Sequence, residues 1–403
     1  MQGRNVGGFS TGRDRKWAAV PLAALAALMV LGCGDGAPTQ AAPLEDQAAV
    51  TPDVFNGGGS EAFKILSRNV YIGADVAPVF QVDFNDIPAL TAVAAALWQT
   101  VQQSDFQTRA EALADEVAAT RPHVVGLQEV SRFVVLNGSL QPIAVVDYLQ
   151  ILQAALAARG LDYVQLSVLN NTNVTVPIAL DLQSGTVTQL LDLTDRIAVL
   201  VRSDVTVHDV AQDNYATRFL LAPGVFLTRG WARVDAEFGG QRLHVVNTHL
   251  EGQSLAPIQA GQAAELMGPV TAGLIGPKVL IGDLNSDAAG GPGIPSWTPT
   301  YGELVGAGWV DLWAQAHPGG GAPEFTCCHL PDLSNTASSL AQRIDFVLVR
   351  DAPQSGSGRV LGSVKIEVLG EESGDRLGGL WPSDHAGLVA GLRLPPGKLA
   401  KGG

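Results

Sequence analysis

Val279-Leu280-Ile281-Gly282-Asp283-Leu284-Asn285-Ser286 is an apolar, β-branched run that stops abruptly in Gly-Asp-x-Asn. Such a run reads as a buried strand that delivers two polar side chains at its exit. Asp283 and Asn285 are two residues apart, so on an extended backbone they project to the same side. A carboxylate beside an amide can take a proton from water and fix its direction, or hold a hard cation and a phosphate oxygen. A buried strand followed by a capping Asp and a turn occurs in many folds. The octapeptide gains weight because other strands of the chain end in the same manner.

Phe63 to Val70 is an apolar or alternating strand that closes on Asn69, and His123 to Val130 is an apolar strand whose end carries Glu129. A carboxylate buried at a strand end calls for a metal or a basic partner. Trp231 to Phe238 and Leu243 to Asn247 read as an antiparallel pair across Gly239-Gly240, and the second strand runs on into Thr248-His249-Leu250. Arg343 to Val349 is apolar but for Asp345 near its start, and Trp381-Pro382-Ser383-Asp384-His385 introduces a last strand, Gly387 to Leu394. Helical spacing marks Leu90 to Gln103, Arg109 to Thr120 (stopped by Arg121-Pro122), Tyr148 to Arg159, Gln259 to Met267 and Pro299 to Gly306. Further strands are expected at Tyr163 to Leu169, Asp195 to Arg202 and Ser363 to Leu369, with a hairpin or polar excursion over Leu180 to Leu193.

At 403 residues, with 46% of them apolar and only 16% charged, the chain can bury a sizeable core, and its 46 Gly and 23 Pro favour strands and loops over a helical bundle. No boundary after residue 62 divides it. The net charge is −14, and removing residues 1–32, with four basic and one acidic side chain, leaves −17. Such a surface repels a duplex phosphate backbone, which disfavours duplex nucleic acid as a partner.

The amino terminus reads as a targeting segment. Arg13, Arg15 and Lys16 precede an apolar run from Trp17 to Leu31, too short to span a bilayer comfortably, that ends Val30-Leu31-Gly32-Cys33. This resembles a bacterial lipobox, which implies cleavage before Cys33, acylation of its thiol, and a lipid-anchored protein in the bacterial cell envelope (the outer membrane of a Gram-negative cell). An ordinary secretory signal or a membrane anchor would export the domain as well. The organisation expected is a leader over 1–32, a flexible tether over 33–61, one domain over 62–394 and a tail over 395–403.

The strand ends, taken in order, are Asn69, Glu129, His249, Asp283 with Asn285, Asp345, and Asp384-His385. Leu-Gln-Glu, Asn-Thr-His-Leu, Gly-Asp-x-Asn-Ser, Arg-Ile-Asp and Ser-Asp-His in this sequence resemble the motifs of the endonuclease/exonuclease/phosphatase superfamily of metal-dependent phosphoesterases, across roughly residues 63 to 392. The resemblance implies an α/β four-layer sandwich, two mixed β-sheets face to face with helices outside, and a site where those strand ends converge. It further implies Mg²⁺, or Mn²⁺ in its place, held by Glu129 with Asn69 and Asp384 nearby. Asp283 would orient or deprotonate a water, and Asn285 and His249 would hold phosphate oxygens. His385, with Asp345 fixing its tautomer, would act on the phosphate or the water. The substrate expected is a lipid head group, a nucleotide or another small phosphate ester, and the protein is expected to act as a monomer. A secreted nuclease, or a non-catalytic surface lipoprotein that keeps the fold, are the alternatives.

Cys327-Cys328-His329 stands apart from these motifs. Adjacent Cα atoms lie ~3.8 Å apart, below the usual ~4.4–6.8 Å of a disulfide, so the expectation is a redox-labile or simply buried pair rather than an ordinary bridge.

Overall fold

The computed structural model describes residues 61–222, 225–291, 293–318, 325–352, 360 and 362–394. The leader, Cys33, nearly all of the tether and the tail after residue 394 lie outside them. In chain order the strands are β1 (Phe63–Asn69), β2 (Val124–Gln128), β3 (Arg132–Asn137), β4 (Pro142–Asp147), β5 (Tyr163–Leu180), β6 (Val187–Arg202), β7 (Thr206–Asn214) and β8 (Phe219–Ala222). They continue with β9 (Val225–Leu227), β10 (Gly230–Phe238), β11 (Gln241–His249), β12 (Lys278–Asp283), β13 (Val310–Asp311), β14 (Asp345–Arg350), β15 (Ser363–Leu369) and β16 (Gly387–Arg393). The helices are α1 (Ala77–Phe80), α2 (Ile87–Gln103), α3 (Phe106–Thr120), α4 (Tyr148–Ala158), α5 (Ala256–Glu265), α6 (Thr300–Gly306) and α7 (Leu312–Ala316).

One sheet runs β15-β16-β1-β2-β6-β3-β4, with β5 paired to β6; the other runs β13-β14-β12-β11-β10-β7. Both are mixed, since β1 and β2 are parallel in the first and β11 and β12 in the second, while their other neighbours are antiparallel. Strand alternation assigns each side chain to a layer. Phe63 and Ile65 of β1, Val124 of β2 and Ile197 and Val199 of β6 meet Val245 of β11, Val279 and Ile281 of β12 and Val347 and Val349 of β14 between the sheets. The opposite parity of the first sheet, Leu66, Val125, Leu127 and Leu200, packs under Leu113, Val117, Leu152 and Leu156 of α3 and α4. Val246, Leu280, Phe346 and Leu348 of the second sheet pack with Leu266, Leu304 and Trp309 on its outer face. The result is the four-layer sandwich, two mixed sheets face to face with helices outside.

A polar rivet crosses the seam between the sheets. Asn247 of β11 donates through Nδ2 to the carbonyls of Leu127 and Ala198, at 3.0 Å each, and its Oδ1 accepts from Gln128 Nε2 at 2.6 Å. Gly126 makes room for it: a Cβ there would lie 2.4 Å from Ile281 Cδ1 and 2.8 Å from Asn247 Oδ1. A larger residue would push the sheets apart at this seam.

The outer hairpins depart from the sequence reading. β5 does not stop at Leu169 but continues to Leu180, turns over residues 181–186 and returns as β6, so of the two readings of Leu180 to Leu193 the hairpin holds and the polar excursion does not. The half-buried outer half of the β5–β6 hairpin lacks the apolar run that marks a core strand, and pairing of β5 with β6 and of β6 with β3 supplies the order instead. The β3–β4 hairpin and β7 to β9 likewise carry no strong pattern. Among the described residues no helix is long and apolar enough to cross a membrane.

Candidate active site

The parity that fills the inter-sheet core also builds the site. Continuing the inward series Phe63, Ile65 on β1 leads to Asn69; Val245, Asn247 on β11 leads to His249; Val279, Ile281 on β12 leads to Asp283; and Asp345 starts the series Val347, Val349 on β14. His249 pairs with Asp283 across the parallel β11–β12 ladder, and Asp283 pairs with Asp345 across the antiparallel β12–β14 ladder. Gly282, at φ +140°, permits the first of these pairings, since a Cβ there would fall 1.9 Å from the Thr248 carbonyl oxygen.

Asn69 ties the two sheets at this edge. Its Nδ2 donates to Glu129 Oε1 at 3.0 Å and to Asp283 Oδ2 at 3.1 Å, while its Oδ1 accepts from the Tyr71 amide at 2.9 Å. Glu129 sits in a left-handed turn (φ +57°) directly after β2, and its Oε2 accepts from the Ile72 amide at 2.6 Å. One carboxylate thus faces the other across an amide.

His385 Nδ1 lies 2.8 Å from Asp345 Oδ2, and its Nε2 lies 3.8 Å from Asp283 Oδ2 and 4.0 Å from Asp384 Oδ1. Burial alone would lower the imidazole pKa, but Asp345 and Asp384 outweigh it and hold His385 well above the usual histidine range. The cation fixes its Nδ1–H on Asp345 and presents Nε2–H to the site. Burial, then the nearby Asp345, pushes Asp283 up to about 7, and burial with Glu129 close by raises Asp384 to about 7. Arg68 of β1 donates to the His385 carbonyl oxygen and pairs with half-buried Glu116 at 2.7 Å. Fully buried Arg109 of α3 donates to the carbonyls of Val70 (2.6 Å) and Pro382 (3.2 Å), anchoring the loop that carries Asp384.

His249 is held from behind by a residue that the strand pattern did not single out. Arg229 Nη1 lies 3.0 Å from His249 Nδ1, and the same guanidinium contacts Glu251 (3.2 Å) and Asp195 (3.4 Å). Arginine can only donate, so Nδ1 accepts and neutral His249 carries its proton on Nε2. Burial and then Arg229 keep the ring well below the usual range, which maintains that neutral state. The Nε2 faces Asp283 Oδ2 at 3.4 Å. Asn285, in the left-handed region at φ +49° that asparagine tolerates, donates to the Leu250 carbonyl at 3.0 Å and lies with its Nδ2 3.1 Å from His249 Nε2. Its amide also closes a turn on Asp283 Oδ1 at 2.8 Å. Arg229 immediately precedes β10 and Glu251 follows His249 by two residues, whereas Asp195 lies inside β6. Proximity to His249 in sequence is a signal for Glu251 alone.

Glu129, Asp283, Asp384, His249, Asn285 and His385 line one cavity of about 310 Å³. Ligand atoms of Glu129, His249 and Asp283 lie within 4.8 Å of one another, as do those of Asp283, Asp345 and His385. Carboxylate oxygens predominate, and burial followed by their crowding raises Asp283 and Asp384 to about 7, so the donor set fits a hard divalent cation. Cys327 and Cys328 lie on the same wall, where they and His385 form a third group with ligand atoms within 4.8 Å of one another. Asp311, a residue without a motif, is buried, caps α7 and pairs with Arg343 at 2.8 Å, leaving Asp345 free for His385.

The solved structures similar to this chain include an endonuclease/exonuclease/phosphatase family protein from Leptotrichia buccalis C-1013-b, 16% identical, covering 83% of this chain and 100% of that one at a TM-score of 0.48. An endonuclease/exonuclease/phosphatase from Beutenbergia cavernae DSM 12333 is 22% identical, covering 82% of this chain and 71% of that one at 0.46. TDP2 of D. rerio, crystallised with a single strand DNA product, is 17% identical, covering 82% and 98% at 0.46. No curated protein sequence matches the chain. A model of the Endonuclease/Exonuclease/phosphatase family matches residues 100–385, more than half of the 403, and the chain belongs to that family.

Proposed function

We propose that the protein is an exported, lipid-anchored hydrolase that cleaves small phosphate esters in the bacterial cell envelope with the help of Mg²⁺. Members of its family are typically metal-dependent phosphoester hydrolases, and phosphodiesterases and nucleases are among them. The observation that carries the reading is the meeting of Asp283, the His385–Asp345 pair, His249 and Asn285 with Glu129 and Asp384 in a single acidic cavity. The run Val30-Leu31-Gly32-Cys33 behind Arg13, Arg15 and Lys16 supports export and anchoring.

A phosphoester resists hydrolysis because its negative charge repels nucleophiles, so that charge must be neutralised and a water aimed in line. A divalent cation held by Glu129 and Asp384, with Asn69 beside them, would supply charge neutralisation and a template for the phosphate. Asp283 takes the proton of the attacking water, and its upward shift to about 7 suits a group that exchanges protons near neutrality. The water oxygen bonds to phosphorus, the bond from phosphorus to the leaving oxygen breaks, and the departing alkoxide takes a proton from solvent water. His385 donates through Nε2 to a phosphoryl oxygen while Asp345 holds its far nitrogen. Neutral His249 offers Nε2–H and Asn285 its amide to the remaining oxygens.

Hydrolysis of bis-p-nitrophenyl phosphate in the presence of Mg²⁺, lost in Asp283→Ala and in His385→Ala, is the expected result; robust turnover by both variants would overturn the assignment. A rise in thermal stability on adding Mg²⁺ or Mn²⁺, absent in Glu129→Ala, separates the enzyme from a non-catalytic module. For the anchor, Cys33→Ser should release the chain from the membrane fraction.

A further inference from the structure

We infer that the cavity holds, next to the phosphate position, a subsite for an uncharged apolar substituent, and that the substrate is a phosphate ester carrying one hydrocarbon group. The inference rests on the phosphoesterase reading above. One wall of the cavity is made of Ile72, Val76, Phe80, Val174, Leu193 and Leu227, all partly buried and all bordering the space that Glu129 and Asp283 also line. Concave apolar surface left partly open is costly to hydrate and is the usual lining of a ligand subsite.

Three separately folded segments build this wall. Val76 and Phe80 belong to the short α1 turn that follows β1. Val174 and Leu193 face each other in register across the outer half of the β5–β6 hairpin. Leu227 closes β9, and the next residue is fastened to the hairpin: the Thr228 amide donates to Thr172 Oγ1 at 3.0 Å, and Thr172 Oγ1 lies 3.1 Å from the Thr228 carbonyl oxygen. The hairpin and β9 are thus joined, and the apolar side chains of all three segments line the cavity.

Charge narrows the occupant. Among the described residues lining the cavity there is no lysine, and the one arginine, Arg229, is engaged with Asp195, Glu251 and His249. A second phosphate, as in a dinucleotide or a polyphosphate, would meet carboxylates with no basic partner left for it. An uncharged hydrocarbon group meets neither difficulty.

The test compares methyl, butyl and hexyl p-nitrophenyl phosphate as substrates with Mg²⁺, and titrates methyl and hexyl phosphate against the Mg²⁺-loaded protein by calorimetry. kcat/KM should rise from methyl to hexyl by roughly fourfold for each methylene that enters the wall, and hexyl phosphate should bind more tightly than methyl phosphate by a similar factor. In Leu193→Ser and Phe80→Ser the hexyl-to-methyl ratio should fall at least tenfold in both measurements. Flat kcat/KM and equal affinities in the native protein, or an unchanged ratio in both variants, would overturn the inference. If no ester is hydrolysed, the phosphoesterase reading fails, and the binding ratio alone then decides the subsite.

Discussion

Asn69, at the end of β1 in the first sheet, donates its Nδ2 to Asp283 Oδ2 of β12 in the second sheet at 3.1 Å, across 214 positions of sequence. The same nitrogen reaches Glu129 at 3.0 Å, so a single amide fixes the separation of the two carboxylates on which cation and water would depend. The site is therefore a property of how the sheets face one another. Neither sheet contains it alone.

Asp283→Asn should remove activity and leave the fold intact. The amide keeps the shape but cannot take a proton, so kcat should fall about 10²- to 10⁴-fold. It also removes one buried charge facing Asp345, so the unfolding midpoint should hold or rise. A midpoint well below that of the native protein would show that the carboxylate stabilises the fold.

Without metal, the stability contributed by Asp283 and Asp384 should fall as pH rises from about 4 to 7, which a comparison of the native protein with Asp283→Asn isolates from the buried histidines. Burial and Asp345 hold Asp283, and burial and Glu129 hold Asp384, at about 7, whereas both titrate near 4 when unfolded. Within that window the folded state keeps protons that the unfolded chain has released, so their contribution is greatest at low pH and fades as pH climbs. A divalent cation favours the ionised forms, and Mg²⁺ should raise the unfolding midpoint more at pH 8 than at pH 5. A metal effect of equal size at both values would contradict this account.

Arg229→Leu should be costly twice over. It leaves Asp195 and Glu251 buried without their cation, a loss of about 3–5 kcal/mol where one partner of a buried pair is removed. It also releases the Nδ1 of His249, so the Nε2–H tautomer is no longer imposed. Urea unfolding should show the first effect. The second would appear as reduced kcat in whatever folded protein remains. Native-like stability and kcat together would refute the role.

Gly282→Ala should abolish soluble expression or lower the unfolding midpoint sharply. Its Cβ would lie 1.9 Å from the Thr248 carbonyl oxygen, forcing β11 and β12 apart where His249 and Asp283 pair. An alanine variant with native stability and activity would mean that the ladder can relax there without cost.

The core strands were legible because each carries a dense apolar run: Phe63 to Leu66, Val124 to Leu127, Val279 to Ile281 and Phe346 to Val349 all lie where their patterns put them. The β5–β6 hairpin was only partly legible. From Asn170 to Leu193 its residues are mixed and half-exposed, and partner strands rather than local pattern hold them extended. Arg229 escaped notice for a related reason: an arginine before a strand is ordinary until the fold brings His249 within 3.0 Å of it.

From sequence alone came the strand ends, their order, the acidic surface and the residue types able to bind a hard cation and move a proton, since these depend on composition and local periodicity. Tertiary structure alone decided that Asn69 spans two sheets, that His249 is neutral with its proton on Nε2, and that an apolar wall borders the acidic cavity. Those features depend on distances between segments far apart in the chain. Such distances are set by how the sheets and hairpins pack, which no local pattern of residues records.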